Sequence, residues 1–401
     1  MHGAMSALKP VCAVLAIACA ATTSQGRIAR DYKVVGYYTN WVEQREGCPF
    51  TAGDVDASLL THINFAFAQA DPGSGGRARP SWHLTPFGSN SDLGPLGQYA
   101  KVNGLKAKNP GLRTLLSVGG WTHNDSAMAW RFTTLAESPA SRGQFIASAV
   151  QYVRENGFDG IDIDWEYPVD STRGGRPQDR HNFTLLLREL RAAIRAEAQR
   201  TGKPPLLLTV AMPGFDPTQW YEPADVAQYV DWINLMAYDF AGAWSSATGM
   251  NAPAPTIRQV VDAYVAAGVP REKIVLGMPT YGHSFAGVDT RQPNAPHKGK
   301  GPKGKCTREP GSLASFEVAD QLRTGSLRGA WDSASATPYA YDSAAKVWVT
   351  YDDTASLRLK AGIIEDMQLG GAMFWSLDTD DYRHGYPLIS AVSRRLRRTH
   401  R

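Results

Sequence analysis

The stretch FDGIDIDWEYP, residues 158–168, places Asp159, Asp162, Asp164 and Glu166 within eight positions of an otherwise apolar run. Residues i, i+2 and i+4 of an extended chain face the same side. Asp162, Asp164 and Glu166 therefore share one face, and Ile161, Ile163 and Trp165 the other. The apolar face packs against helices, which turns the acids inward, climbing toward the C-terminal end of the strand. Asp159 has the opposite parity and reads as a structural residue at the strand's start. Successive acids rise about 6.6 Å along a strand, and two unit charges at that separation repel by about 2.5 kcal/mol at an effective dielectric near 20. Three ionised carboxylates stacked this way are costly, so at least one is expected to hold a proton near neutral pH. Such a carboxyl is a ready proton donor.

Two other uses of three acids compete with this one. A loop that binds a divalent cation through Asp-x-Asp-x-Glu puts Gly and polar residues between the ligands, whereas Ile and Trp intervene here. A purely structural network of buried acids destabilises unless every charge is paired. The favoured account is a catalytic set whose protonated member serves as general acid, as cleavage of a glycosidic bond requires.

Outward from this strand, short β-branched runs alternate with helix-like segments. The strand candidates are 33–39, 59–68, 113–120, 158–167, 205–214, 232–240, 274–282 and 370–378, with amphipathic stretches such as 182–200 and 257–268 between them. Eight βα units in one chain predict a (β/α)8 TIM barrel over residues 31–398 rather than an open doubly wound sheet. No GxGxxG or P-loop follows any strand, which also disfavours a nucleotide fold. The gap after the seventh strand holds 87 residues, His283 to Leu369, of which one helix (354–367) uses the end. Residues 283–350 carry their own helix (SLASFEVADQL) and strand-like pieces (YAYDSAAKVWVTYD), and predict a small α+β insertion domain on the top rim. Within it, HKGKGPKGKC (297–306) reads as a mobile, solvated loop.

At 401 residues and 43% hydrophobic, the chain can bury a large core, and a net charge of +4 is too mild to imply nucleic acid. Residues 1–26 read as a secretory signal: Lys9, an apolar run from Val11 to Ala21, then small residues, with cleavage expected near 20–26. That run is too short to span a bilayer, and no later stretch does better. The expected location is extracellular. Cys12 and Cys19 fall in the signal. Cys48 and Cys306 remain, and export permits them to pair or to stay as buried thiols. Asn124 (NDS) and Asn182 (NFT) are glycosylation sequons.

The acid run resembles the D-x-x-D-x-D-x-E signature of family 18 glycoside hydrolases, the secreted chitinases. YYTNW on the first strand, SVGGW (117–121) on the third, MAYDF (236–240) on the sixth, PTYG (279–282) on the seventh and MFWSLD on the eighth fall where that family has its motifs. The insertion resembles the family's chitinase insertion domain.

The resemblance implies substrate-assisted, retaining hydrolysis of β-1,4-linked N-acetylglucosamine polymers, an exception to the two-carboxylate scheme. Glu166 is then the general acid and base. Asp164 holds the substrate's acetamido N–H, Asp162 shares a proton with Asp164, and Tyr238 orients the acetamido oxygen, with Asp239 and Met236 shaping the same pocket. No metal or organic cofactor is needed. Trp375 resembles the floor of the −1 subsite, Trp121 a +1 platform, Trp244 a +2 contact and Trp41 a more distant glycon contact. Tyr37, Tyr281, Gly120, Tyr167 and Met212 complete the expected substrate-binding set. Trp165, Trp130 and Trp232 are assigned to core or rim. The expected partner is chitin or its oligosaccharides, bound by a monomer. A lectin without hydrolysis would lack the acid at position 166, which is present. An N-glycan-cleaving relative is disfavoured by the insertion and the tryptophan series. His283 departs from the Arg that many relatives carry after YG.

Overall fold

The computed structural model describes residues 31–87 and 90–397. The signal segment with its cleavage site, Cys12 and Cys19, and the last four residues of the basic tail lie outside them.

Eight parallel strands close into a barrel: β1 Lys33–Thr39, β2 His62–Asp71, β4 Arg113–Gly119, β5 Gly160–Asp164, β6 Leu207–Pro213, β7 Trp232–Met236, β8 Ile274–Pro279 and β14 Gly371–Trp375. Closure is made by β1, which pairs with β2 on one side and β14 on the other. Every strand matches one of the eight expected from the sequence. One further strand, β3 (His83–Pro86), was not expected. It pairs antiparallel with the end of β2, Gln69 opposite Thr85.

Outward-facing Ile161 and Ile163 on β5, with Leu208 and Val210 on β6, are fully buried under helices Pro139–Glu155 and Asp179–Thr201. Trp165 joins this layer, stacked on Phe132 at 5.2 Å and edge-on to Phe183 at 5.9 Å. Asp159 accepts from the Thr114 N–H at 2.9 Å and pairs with Lys106 at 2.7 Å, tying the bottom of β5 to β4. Strand β5 ends at Asp164, earlier than expected, so Glu166 lies in the turn beyond the ladder.

The insertion is a five-stranded antiparallel sheet in the order β10–β9–β13–β12–β11: β9 Tyr281–Ala286, β10 Ser312–Ala314, β11 Arg328–Asp332, β12 Thr337–Asp342 and β13 Val347–Thr350, with helix Ser315–Thr324. Its first strand follows β8 after a single residue, so Tyr281 and His283 belong to both the sheet and the barrel mouth. The lysine-glycine segment is pinned to β9 rather than free: the Lys298 N–H donates to the Ala286 carbonyl at 2.8 Å, and the Gly301 N–H to the Ser284 carbonyl at 2.9 Å. Cys48, in the β1–β2 connection, is disulfide-bonded to Cys306 in the insertion, 258 residues away. Among the described residues, no helix is long and apolar enough to cross a membrane.

Candidate active site

The inward faces of the strands meet at Asp162, which is fully buried. Its Oδ2 accepts from the Tyr37 hydroxyl and the Ser117 hydroxyl, each at 2.7 Å. Its Oδ1 accepts from the Thr209 hydroxyl at 2.5 Å and from Asn234 Nδ2 at 3.1 Å. Four donors from β1, β4, β6 and β7 thus converge on one carboxylate. Burial raises its pKa, and the four hydrogen bonds oppose that rise. Four neutral donors fix the position of the Asp162 carboxyl, and burial still leaves its pKa raised, so it can take up a proton from the acid above it.

Asp164 sits one layer higher. Its Oδ1 is buried without a hydrogen-bond partner. Burial, then the charges of Glu166 and Asp162, push its pKa well above the usual carboxylate range. The proton that the repulsion argument required is therefore best held here. The backbone makes room for it from β4: the Gly120 N–H donates to the Asp164 carbonyl at 2.9 Å. Gly119 and Gly120 have φ of 116° and 82°, and a Cβ on Gly119 would stand 2.1 Å from the Asp164 carbonyl oxygen. A Cβ on Gly120 would strike the Phe67 ring at 2.5 Å.

Glu166 is 9% exposed at the top of the ladder. Its pKa rises to about 7, chiefly through burial, with the Arg173 guanidinium lowering it, the Asp239 charge raising it and a Tyr167 hydrogen bond lowering it. A carboxylic acid poised near neutrality suits proton donation followed by proton removal. Beyond the strand, side chains hold its peptide: Asn124 Oδ1 accepts from the Glu166 N–H at 3.3 Å, and Arg173 Nε donates to the Glu166 carbonyl at 2.7 Å.

Tyr238 continues the inward parity of Asn234 and Met236 and lies edge-on to Tyr281 at 6.2 Å. Burial raises its pKa well above the usual phenol, which keeps the hydroxyl protonated. Asp239 turns the chain with φ of 61°, and its Oδ1 accepts from the Tyr281 hydroxyl at 2.5 Å and faces His283 Nε2 at 2.7 Å. The other ring nitrogen of His283 faces the Gly311 carbonyl at 3.2 Å. The Asp239 carboxylate and the Gly311 carbonyl thus hold the ring at both of its nitrogens.

Two aromatic groups flank the acids. On one side Trp375 packs on Tyr37 at 5.3 Å, on Phe67 at 5.8 Å and on Trp41 at 6.3 Å. Phe67, missed in the sequence reading, supports both tryptophans, lying 6.1 Å from Trp41 and nearly parallel to it. On the other side Tyr167 meets Phe215 and Trp220 at 5.8 and 5.6 Å. Trp41, Trp121 and Trp244 are 52%, 56% and 64% exposed, large rings presented to solvent above a buried polar floor. Trp244 stands edge-on to His283 at 5.0 Å. Trp232 is buried, and Trp130 is a half-buried rim residue.

One expected site residue is corrected, and the two sequons, left open by the sequence, can be placed. Met212 is fully buried and pairs in register with Leu235, opposite in parity to the inward Thr209 and Asn234. It belongs to the helix-facing core rather than the pocket. Asn124 is fully buried with its oxygen committed to Glu166, so the folded protein does not offer this sequon to a glycosylating enzyme. Asn182 is half-buried, and its Nδ2 donates to Asp179 at 3.0 Å. Asn124 and Arg173 are site residues that the sequence reading missed. Each ends a short 3-10 helix, Trp121–Asn124 and Ser171–Arg173, too brief to carry a readable pattern, and only the fold brings them to Glu166.

Residues 33–380 match the model of glycosyl hydrolases family 18. Mouse chitotriosidase-1 is 37% identical over 387 residues, covering 91% of this chain and 78% of that protein. Several other curated relatives are longer, the chain spanning 57–64% of their length. Among solved structures, the second catalytic domain of an Ostrinia furnacalis group II chitinase superposes with a TM-score of 0.82 at 31% identity, covering 91% of this chain and 96% of that one. Human YKL-39, described as a pseudo-chitinase that retains chitooligosaccharide binding, gives 0.80 at 32% identity over 91% and 99%. The chain belongs to glycosyl hydrolases family 18.

Proposed function

We propose that this chain is a secreted chitinase that hydrolyses β-1,4-linked N-acetylglucosamine polymers by substrate-assisted, retaining catalysis. One observation carries the reading: three stacked acids, with a carboxyl anchored by four donors at Asp162, a carboxyl of raised pKa at Asp164 and a neutral-range acid at Glu166, beneath a row of exposed tryptophans. Glu166 gives its proton to the glycosidic oxygen as the C1–O bond breaks. The substrate's own 2-acetamido carbonyl oxygen attacks C1, forming an oxazolinium-like intermediate. As the sugar binds, Asp164 passes its proton to Asp162; the Asp164 anion then accepts the acetamido N–H and offsets the developing positive charge, while Tyr238 directs the acetamido oxygen. Water then opens the intermediate, with Glu166 taking its proton. Trp375 is the floor beneath the reacting sugar, and Trp41, Trp121 and Trp244 extend the cleft in either direction through stacking on the apolar faces of sugars.

Related structures support the ligand class: the Ostrinia domain has been solved with a chitooligosaccharide, and YKL-39 is described as binding such oligomers. YKL-39 also shows that a member of this family can bind without cutting. The acid at position 166 and both aspartates favour hydrolysis here. The Cys48–Cys306 disulfide supports an oxidising, extracellular setting. Incubation with N-acetylglucosamine oligomers, with product lengths and anomers resolved, is the test. Shortened products carrying the β-anomer are expected, and intact oligomers or α-products would overturn the reading.

A further inference from the structure

Glu166 stands beyond the last ladder hydrogen bond of β5, yet a general acid must be held to within a fraction of an ångström to be effective. Two side chains outside the expected site supply that hold. Asn124 Oδ1 accepts from the Glu166 N–H and Arg173 donates to its carbonyl, so the peptide units on both sides of the residue are held. Arg173 is 8% exposed and does more than this. Its Nη2 donates to the Trp121 carbonyl, and its guanidinium lies 3.5 Å from the Trp121 ring centroid. A planar cation on one face of a half-exposed indole fixes the ring's tilt and leaves the opposite face for a sugar.

We propose that Arg173 is a positioning residue that couples the sugar platform at Trp121 to the acid at Glu166, with Asn124 completing the grip on the acid's peptide. The inference rests on the reading of Glu166 as general acid and Trp121 as a leaving-group-side platform. Its electrostatic side follows from the groups around Glu166. Asp164 lies below it, Asp239 faces it from the β7 turn, and Tyr167, Tyr238, Tyr281 and Tyr221 surround it. Arg173 is the cation among them, and His283 lies behind Asp239, 2.7 Å from its carboxylate. Removing the Arg173 charge leaves only the Tyr167 hydrogen bond opposing burial and the acidic neighbours, which favours the protonated form of Glu166.

The test compares wild type, Arg173→Gln and Arg173→Lys for kcat and KM on N-acetylglucosamine oligomers across pH, with near-ultraviolet circular dichroism to confirm the fold. Activity requires protonated Glu166 and is lost as pH rises through its pKa. Arg173→Gln is expected to move that alkaline limb to higher pH by on the order of one unit. Arg173→Lys retains the charge and leaves the limb near its wild-type position, but it loses the planar fork. Its KM should rise for oligomers long enough to reach Trp121 and stay unchanged for shorter ones. A Gln variant that is folded and whose limb superimposes on wild type overturns the proposal. So does a Lys variant with no length-dependent KM change. Failure of the underlying reading looks different: the wild type itself would lack an alkaline limb, or Glu166→Gln would remain active.

Discussion

The Tyr37 hydroxyl donates to Asp162 Oδ2 at 2.7 Å across the barrel, joining residues 125 positions apart. With Ser117, Thr209 and Asn234 it fixes the Asp162 carboxyl in place beneath Asp164. Burial, then the Glu166 charge, then the Asp162 charge raise the pKa of Asp164. Asp162→Asn keeps the shape and removes the charge, so the folded-state pKa of Asp164 falls. In the proposed mechanism Asp164 acts as an anion toward the acetamido group. The acidic limb of the pH–rate profile should therefore move to lower pH. Identical limbs in the variant and wild type would make Asp162 a packing residue only.

Glu166→Gln preserves the contacts at the peptide while removing the transferable proton. General acid catalysis is worth roughly 10²- to 10⁴-fold, so hydrolysis should fall by at least that range while oligomer binding persists. Titration calorimetry with an oligomer beside a turnover assay checks both halves. Turnover near wild type would reassign the acid.

The pH optimum follows from the same residue. With its pKa at about 7, Glu166 is protonated below neutrality and loses its proton above it. On the alkaline side the kcat/KM value on neutral oligomers should fall about tenfold per unit well above 7, the acidic limb being set by Asp164. A profile flat to pH 9 would contradict a group-specific role for that proton.

Cys48 and Cys306 bind the β1–β2 connection, which carries Trp41, to the insertion wall. The Glu46–Arg308 ion pair at 2.7 Å spans the same junction but is exposed and adds little. Replacing both cysteines with Ala should cost about 2–4 kcal/mol of stability by relaxing the unfolded chain. Chemical denaturation measures it. A difference under about 0.5 kcal/mol would mean that packing at Phe316 and Tyr382 holds the junction alone.

The barrel was legible because each strand announces itself by β-branched runs, and the inward set on β5 by simple alternation. Alternation also marked its own errors. Thr209 faces Asp162, so Met212, three positions on, must face the helices, and its assignment to the pocket ignored that parity. Extending the same alternation to Glu166 passed the end of β5, where the chain turns and side chains replace the ladder. Asn124 and Arg173 could not be found this way. Their roles come from turn geometry that brings residues 42 and 7 positions away onto one peptide. The pairing of Cys48 with Cys306 was equally open, since spacing alone does not bring two walls together. Strand β3 is only four residues long and has too little pattern to read.

The last prediction concerns where the nucleophile comes from. The inward acids lie on one strand and the turn that follows it, so they approach a bound sugar from one side. Asp162 is sealed by its four donors, Asp164 lies between it and Glu166, and no carboxylate of this set is placed to attack C1 from the opposite face. An attacking group supplied by the substrate removes the difficulty. Holding the acetamido oxygen beside C1 makes the step intramolecular, an advantage of about 7–11 kcal/mol when alignment is good. Asp164, with an unpartnered buried oxygen, and Tyr238, with a protonated hydroxyl, are the groups able to enforce that alignment. A partly deacetylated polymer should therefore be cut only where an N-acetylated sugar lies at the reacting position. Sequencing the new reducing ends should return N-acetylglucosamine almost without exception, and a thiazoline analogue of the intermediate should inhibit competitively. Glucosamine appearing freely at those ends would show that the nucleophile is not the acetamido group, even if Glu166 remains the acid.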